Sequence, residues 1–194
     1  SNTFWSLINF RGGLIRALID QGADVIVLAP WDRHAQALSD LGCKVVSLEM
    51  SREGLKPIKE FGTIFHYALI LRKYSPSLCL LYTVKPNLYG SLASILTRVP
   101  VFCTITGLGT AFIAGGILSL LAEWSFKLIR NLPKRTFLQN RDDFQLFLDR
   151  KLISRDKMRL VSGSGVNLKF FSFSPMSLTD KTIFLFVGRI VKDK

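Results

Sequence analysis

Four short stretches carry residue types that bind anions or sugars. Near one end, residues 183–187 form an apolar strand-like run that leads straight into Gly188-Arg189, and Lys194 follows five positions later. A strand that ends in glycine, with arginine directly after it, sets a fixed cation beside free backbone N–H groups, where a phosphate can sit. Lys194 can supply a second positive charge there. Taken alone, the same run is an exposed basic tail. At the other end, Arg11-Gly12-Gly13 reads as the opening of the first helix, whose dipole and free N–H groups favour an anion. A plain helix-start turn explains the two glycines equally well.

The other two stretches follow strands. Lys85-Pro86-Asn87-Leu88-Tyr89-Gly90 reads as a helix start that presents Lys85 and Tyr89 to a diphosphate or sugar. Proline at the first helical position accounts for Pro86 but not for Lys85. Thr106-Gly107-Leu108-Gly109 reads as a loop at the C-terminal end of a strand, where ligands bind in open α/β sheets. Its glycines let the backbone approach a sugar closely; a tight turn is the simpler reading.

These stretches need elements to position them. Residues 10–22 read as a helix with Leu14, Ile15, Leu18 and Ile19 on one face, closed by Gly22, and residues 24–29 as a buried strand. The unit repeats: Asp32 caps a helix to Leu41, Gly42 ends it, and 44–48 is a strand. Two helix–glycine–strand units in succession announce a parallel, doubly wound sheet. A long helix over 55–74 places Leu55, Ile58, Phe61, Phe65, Ala68 and Leu69 inward. Strands at 78–82, 101–105, 135–139 and 159–162 alternate with helices at 87–98, 116–132 and 142–151. The 116–132 helix is very apolar, with Glu123, Lys127 and Arg130 on one face. It suits burial between sheet and neighbours, or docking in the plane of a membrane through Trp124. The residues before Phe10 read as neither strand nor clean helix cap.

Composition narrows the function. The 194 residues carry a net charge of +12, which favours an anionic partner: a nucleotide diphosphate, a lipid diphosphate or an anionic membrane face. The basic residues are scattered and no aromatic platform or zinc signature accompanies them, so nucleic acid is not expected. Cys43, Cys79 and Cys103 lie far apart in apolar runs and read as buried free thiols of a reducing compartment. No CxxC occurs and His34 and His66 stand alone, so no metal site is expected. There is no GxGxxG with a following acid, which argues against a nicotinamide-dependent dehydrogenase. No signal peptide is recognisable.

GSGVNLKFF at 163–171, followed by FLFVGRIVKDK, resembles the hinge of retaining GT-B glycosyltransferases of family 4, with Asn167 where aspartate is usual. NFRGGLIRALIDQG, VIVLAPWD, KPNLYGSLAS and TITGLGTAF extend the resemblance over almost the whole chain. Their order is similar to that of bacterial transferases that build polyprenyl-diphosphate-linked glycans. The resemblance implies a Rossmann-like N-terminal, acceptor-side domain over 1–171, a linker over 172–181, and the start of a donor-binding domain over 182–194. It implies that a first, central strand is missing, leaving two apolar strand edges unpaired and the chain prone to aggregate. It also implies a UDP-sugar donor, no metal and no cofactor, and a place on the cytoplasmic face of the membrane. Arg189, Lys194, Gly188, Gly12 and Gly13 then fall to the donor diphosphate. Arg11, Lys85, Asn87, Tyr89, Thr106, Gly107 and Gly109 fall to the acceptor. Many relatives carry a histidine where Thr106-Gly107-Leu108-Gly109 stands, so no histidine base is assigned. The family's acidic pair belongs to the second domain, and no Asp or Glu here is assigned to catalysis; alone, this piece is expected to be inactive. Two alternatives stay open: a GT-B-fold nucleotide-sugar 2-epimerase, and a non-catalytic basic module of the membrane surface.

Overall fold

The structure is a computed structural model that describes residues 1–48, 57–108, 112, 116–175 and 182–188. It is an α/β fold with strands β1 (Ile26–Ala29), β2 (Lys44–Ser47), β3 (Cys79–Tyr82), β4 (Val101–Ile105), β5 (Arg135–Leu138) and β6 (Met158–Leu160). The helices between them are α1 (Phe4–Asp20), α2 (Ala35–Asp40), α3 (Pro57–Tyr74), α4 (Val84–Thr97), α5 (Gly116–Ile129) and α6 (Arg141–Asp149). Every strand pair is parallel, in the register Ile26↔Lys44, Cys79↔Val101, Phe102↔Arg135 and Thr136↔Met158. The strands form two sheets, β1-β2 and β3-β4-β5-β6. On one layer α1 packs on α2; on the other, α3 packs on α4 and α4 on α5.

Glycine punctuation works as expected. Gly22 (φ 83°) and Gly42 (φ 96°) take the left-handed conformation after α1 and α2. Behind each, a pair of bonds closes the helix: Gly22 N to Ile19 O and Ala23 N to Leu18 O, then Gly42 N to Ser39 O and Cys43 N to Leu38 O.

The first helix starts earlier than expected. Thr3 is its N-cap, and the Thr3 hydroxyl accepts the Ser6 N–H at 3.1 Å. Phe4 (0% exposed) and Leu7 (6%) are buried by this extra turn and a half. Their burial outweighs the cost of carrying two glycines mid-helix, about 1 kcal/mol each. Asp32 is not a side-chain cap of α2, which begins after His34; its carboxylate serves α1 instead, as described below.

The two sheets leave their inner edges, β1 and β3, facing a shared slot of about 600 Å³. Leu14 and Leu18 of α1 line one side and Tyr67 and Ile70 of α3 the other. Leu14, expected in the core, is therefore 44% exposed. The Ser1 amine sits in this slot and donates to Leu28 O at 3.0 Å.

Helix α3 buries a different stripe from the one expected, and α5 leaves an apolar stripe facing outward. On α3, Tyr67, Ala68 and Leu71 are buried, while Phe61 (74%), Phe65 (58%) and Leu69 (47%) are exposed. Leu55 and the side chain of Ile58 lie outside the described residues. On α5, Phe126 and Ile129 are buried, but Leu120, Leu121, Trp124 and Leu128 face outward, so this helix is not enclosed. Both helices are apolar on more than one face, and periodicity cannot choose between apolar stripes. Residues 182–188 are not a strand: no partner edge pairs with them among the described residues, and Ile183, Phe184, Leu185, Phe186 and Val187 stay exposed.

Candidate functional site

Parallel strands aim their C-terminal ends the same way, and four of them deliver residues to one place. Tyr82 ends β3 and Thr83 follows it, Thr106 follows β4, Gln139 follows β5, and Ser164 stands beyond β6. Together with Ser1, Ser6, Phe10 and Arg11 they line a cavity of about 330 Å³. Such an edge is where open α/β sheets bind ligands. Gln139 Nε2 donates to Ser164 Oγ at 3.0 Å, tying the β5 and β6 ends together.

Arg11 is the cavity's cation. It projects from the middle of α1 over the Tyr82 ring, 4.4 Å from the centroid. Burial pushes its guanidinium pKa down, with Tyr82 opposing; burial likewise pushes the Tyr82 hydroxyl up. An arginine remains charged under either influence. None of the ion pairs among the described residues involves Arg11.

The N-terminus of α1 already holds an anion, and it belongs to the protein. Asp32 Oδ2 accepts the Trp5 N–H at 3.1 Å, and Oδ1 accepts the His34 N–H at 2.8 Å with His34 Nδ1 at 3.2 Å. Burial pushes the Asp32 pKa up, but the bonds from His34, Trp5 and Phe4 outweigh it and the net direction is down. Gly12 and Gly13 lie well inside α1. The expected phosphate cradle at a helix start therefore does not form at these glycines, because the helix begins eight or more residues earlier.

The second expected cluster turns away from the cavity. Lys85 Nζ donates to Glu60 Oε1 at 3.2 Å, and the Tyr89 hydroxyl donates to Glu60 Oε2. Tyr89 is 3% exposed, in the core between α3 and α4. Asn87 is fully buried and its Nδ2 donates to Thr104 O at 3.0 Å, joining α4 to β4. The helix also starts earlier, at Val84, so Pro86 is its third residue rather than its first. Asn87 and Tyr89 thus hold the fold, and Lys85 is an ion-pair partner of Glu60.

Of the expected residues, the structure brings Arg11 and Thr106 together at the cavity. Gly107, at φ 144°, adjoins Thr106. Gly188 sits on an exposed bend apart from the cavity lining. Gly109, Arg189 and Lys194 lie outside the described residues. Tyr82, Thr83, Gln139 and Ser164 were missed. The strand-end rule that found Thr106 finds them too when it is applied to every strand.

The three cysteines are free. Burial pushes the Cys79 thiol up to about 11 and Cys103 up to about 12, which suits inert packing groups. No helix among the described residues is long and apolar enough to cross a membrane.

Residues 2–133 match the model of the glycosyl transferase 4-like family. The chain belongs to this family. It is 29% identical over 171 residues to an N,N'-diacetylbacillosaminyl-diphospho-undecaprenol alpha-1,3-N-acetylgalactosaminyltransferase of Campylobacter jejuni, a span of 86% of this chain and 45% of that protein. Solved glycosyltransferase structures share the fold. MurG of Acinetobacter baumannii matches with a TM-score of 0.52 at 16% identity, over 87% of this chain and 42% of that one. A glycosyltransferase of Rickettsia africae matches at 0.58 and 17%, over 84% and 41%. HepE of Anabaena, solved with UDP and glucose, matches at 0.55 and 13%, over 84% and 42%. The glycosyl transferase 4-like chain described here thus spans about half the length of these relatives and has the α/β architecture of one GT-B half.

Proposed function

We propose that this chain is the acceptor-side half of a retaining glycosyltransferase. The enzyme moves a sugar, an N-acetylhexosamine, from a UDP-sugar to a polyprenyl-diphosphate-linked glycan. The observation that carries this reading is the cavity at the sheet's C-terminal edge, where the Arg11 cation meets the hydroxyls of Ser6, Thr106 and Ser164. One cation with a ring of hydroxyls suits a ligand that joins a phosphate to a sugar. The Campylobacter relative, whose name specifies a diphospho-undecaprenol acceptor, supports the same class.

In this reading Arg189 and Lys194, with Gly188, hold the donor diphosphate as the glycosidic bond breaks toward an oxocarbenium-like state. No metal ion and no cofactor are required. The reaction runs on the cytoplasmic face of the membrane. There the net charge of +12 and the outward stripe Leu120, Trp124 and Leu128 on α5 meet an anionic lipid surface.

The test uses the chain in its natural polypeptide, mixed with UDP-N-acetylhexosamine and a short polyprenyl-diphosphate glycan. The expected product is heavier by one N-acetylhexosamine, and Arg189→Ala and Arg11→Ala each abolish it. Absence of product with UDP binding intact would sink the transferase reading. The outward α5 stripe favours one other account, a non-catalytic membrane module. That account gains if neither UDP nor diphosphate binds while Trp124→Glu strips the protein from phosphatidylglycerol vesicles.

A further inference from the structure

Among the described residues that line the cavity, Thr83 alone combines a strained backbone with an unsatisfied side chain. Its angles, φ 71° and ψ 162°, fall where essentially only glycine goes freely. A β-branched residue pays more there than most. Its hydroxyl oxygen is buried and has no hydrogen-bond partner. It does not cap α4, although it stands at the cap position. Its carbonyl is committed, accepting the Asn87 N–H at 3.0 Å. Glycine would remove the strain and alanine the orphan hydroxyl, so packing alone gives no reason for threonine.

We propose that Thr83 is a ligand-binding residue whose hydroxyl takes an oxygen of the phosphate ester that Arg11 holds by charge. The inference rests on the reading of this cavity as the acceptor site and deepens it. Tyr82 links the two groups: its ring carries the Arg11 guanidinium and its peptide leads directly into Thr83. In this proposal a turn about the Thr83 Cα–Cβ bond carries the hydroxyl, buried and unpartnered without ligand, to the cavity that Thr83 lines. Bound, it donates to a phosphate oxygen, and the strained backbone holds it at the strand's end. The ligand class is a diphosphate joined to a sugar, with Arg11 and Thr83 on the phosphate and the hydroxyls of Thr106 and Ser164 near the sugar.

The test pairs stability with affinity. Wild type, Thr83→Gly, Thr83→Val, Thr83→Ser and Arg11→Ala are titrated calorimetrically with geranyl diphosphate and melted without ligand. Thr83→Gly is expected to raise the melting temperature by about 2–6 °C by releasing strain. It should at the same time weaken diphosphate binding by about 5–10-fold, one hydrogen bond's worth. Thr83→Val weakens binding similarly and Thr83→Ser keeps it. Thr83→Val keeps the β-branch and loses only the hydroxyl, so it separates a bond from Thr83 to the ligand from an effect passed through Tyr82 and Arg11. Undiminished binding in both Thr83→Gly and Thr83→Val, with binding lost in Arg11→Ala, overturns the role of Thr83 and leaves the acceptor-site reading standing. Absence of binding by wild type overturns both. A lower melting temperature for Thr83→Gly overturns the strain on which the inference stands.

Discussion

The Arg11 guanidinium lies over the Tyr82 ring, 4.4 Å from its centroid, and so joins α1 to the C-terminal end of β3. The contact fixes a cation at the cavity that both residues line. A lysine keeps the charge but loses the planar stacking and the donor fork. Arg11→Lys is therefore expected to weaken pyrophosphate binding about 10-fold and Arg11→Ala about 100-fold. Folding stability should move by no more than about 1–2 kcal/mol, the scale of a partly buried cation–π contact. Titration calorimetry and a urea melt measure both; equal binding by all three proteins would remove Arg11 from the site.

Two glycine-to-alanine changes separate helix from cradle. Gly13 lies inside α1, and a Cβ there meets nothing within 4 Å. Gly13→Ala is expected to stabilise the chain by about 0.5–1 kcal/mol and leave pyrophosphate binding unchanged. At Gly90 a Cβ would come within 2.5 Å of the Leu81 side chain, where α4 crosses β3. Gly90→Ala should cost about 1–3 kcal/mol by overpacking. Loss of ligand binding in Gly13→Ala would restore the phosphate-cradle reading.

The parts of the fold that were legible in the sequence are local. Gly22 and Gly42 mark helix ends because their positive φ is a property of glycine itself. Strand β4 falls where Pro100 and an apolar run place it. What was not legible depends on partners far along the chain. Lys85 and Tyr89 looked ligand-facing because Glu60, which binds both, stands 25 and 29 residues away. The buried stripe of α3 is chosen by α4, which packs against Tyr67 and Leu71 rather than Phe61 and Phe65. Residues 183–187 have strand composition, but a strand also needs an edge to pair with. Thr83 escaped notice because threonine is not a residue type that signals positive φ.

Glu60 holds α3 to α4 through two charge-assisted bonds, from Lys85 and from Tyr89. Its side chain is 13% exposed and that of Lys85 28%. Glu60→Gln removes the anion that Lys85 and Tyr89 share, at an expected cost of about 1–3 kcal/mol. Adding Lys85→Met should recover part of that loss, so the double-mutant cycle reads a coupling of at least about 0.5 kcal/mol. Strict additivity would show that the pair contributes nothing. Burial pushes the Tyr89 hydroxyl pKa up and Glu60 adds to the shift. In Glu60→Gln the Tyr89 ionisation, followed by ultraviolet absorbance, is expected at lower pH than in wild type.

The Ser1 amine tests the slot between β1 and β3. Ser1 keeps part of its surface, but its nitrogen is buried, and burial pushes the amine down to about 6 from the usual 8.0. A base with a lowered folded pKa is one the folded state keeps neutral. Between pH 8 and 6 the unfolded chain takes up a proton that the folded chain refuses, so stability falls as pH drops through that window. Below pH 6 the loss is complete, at about 2–3 kcal/mol. Urea melts of the chain that starts at Ser1 should show this slope between pH 6 and 8. Placing Gly-Ser before Ser1 converts the amine to an amide, and the slope should vanish. Placing Val-Ile-Val-Ile there should also raise the midpoint above that of the Gly-Ser form. An extended apolar segment can pair with the open edges of β1 and β3 and cover Leu14, Leu18, Tyr67 and Ile70. Equal midpoints for the two extensions would show that the slot does not accept a strand. An unchanged slope after extension would show that the titrating group is not the Ser1 amine.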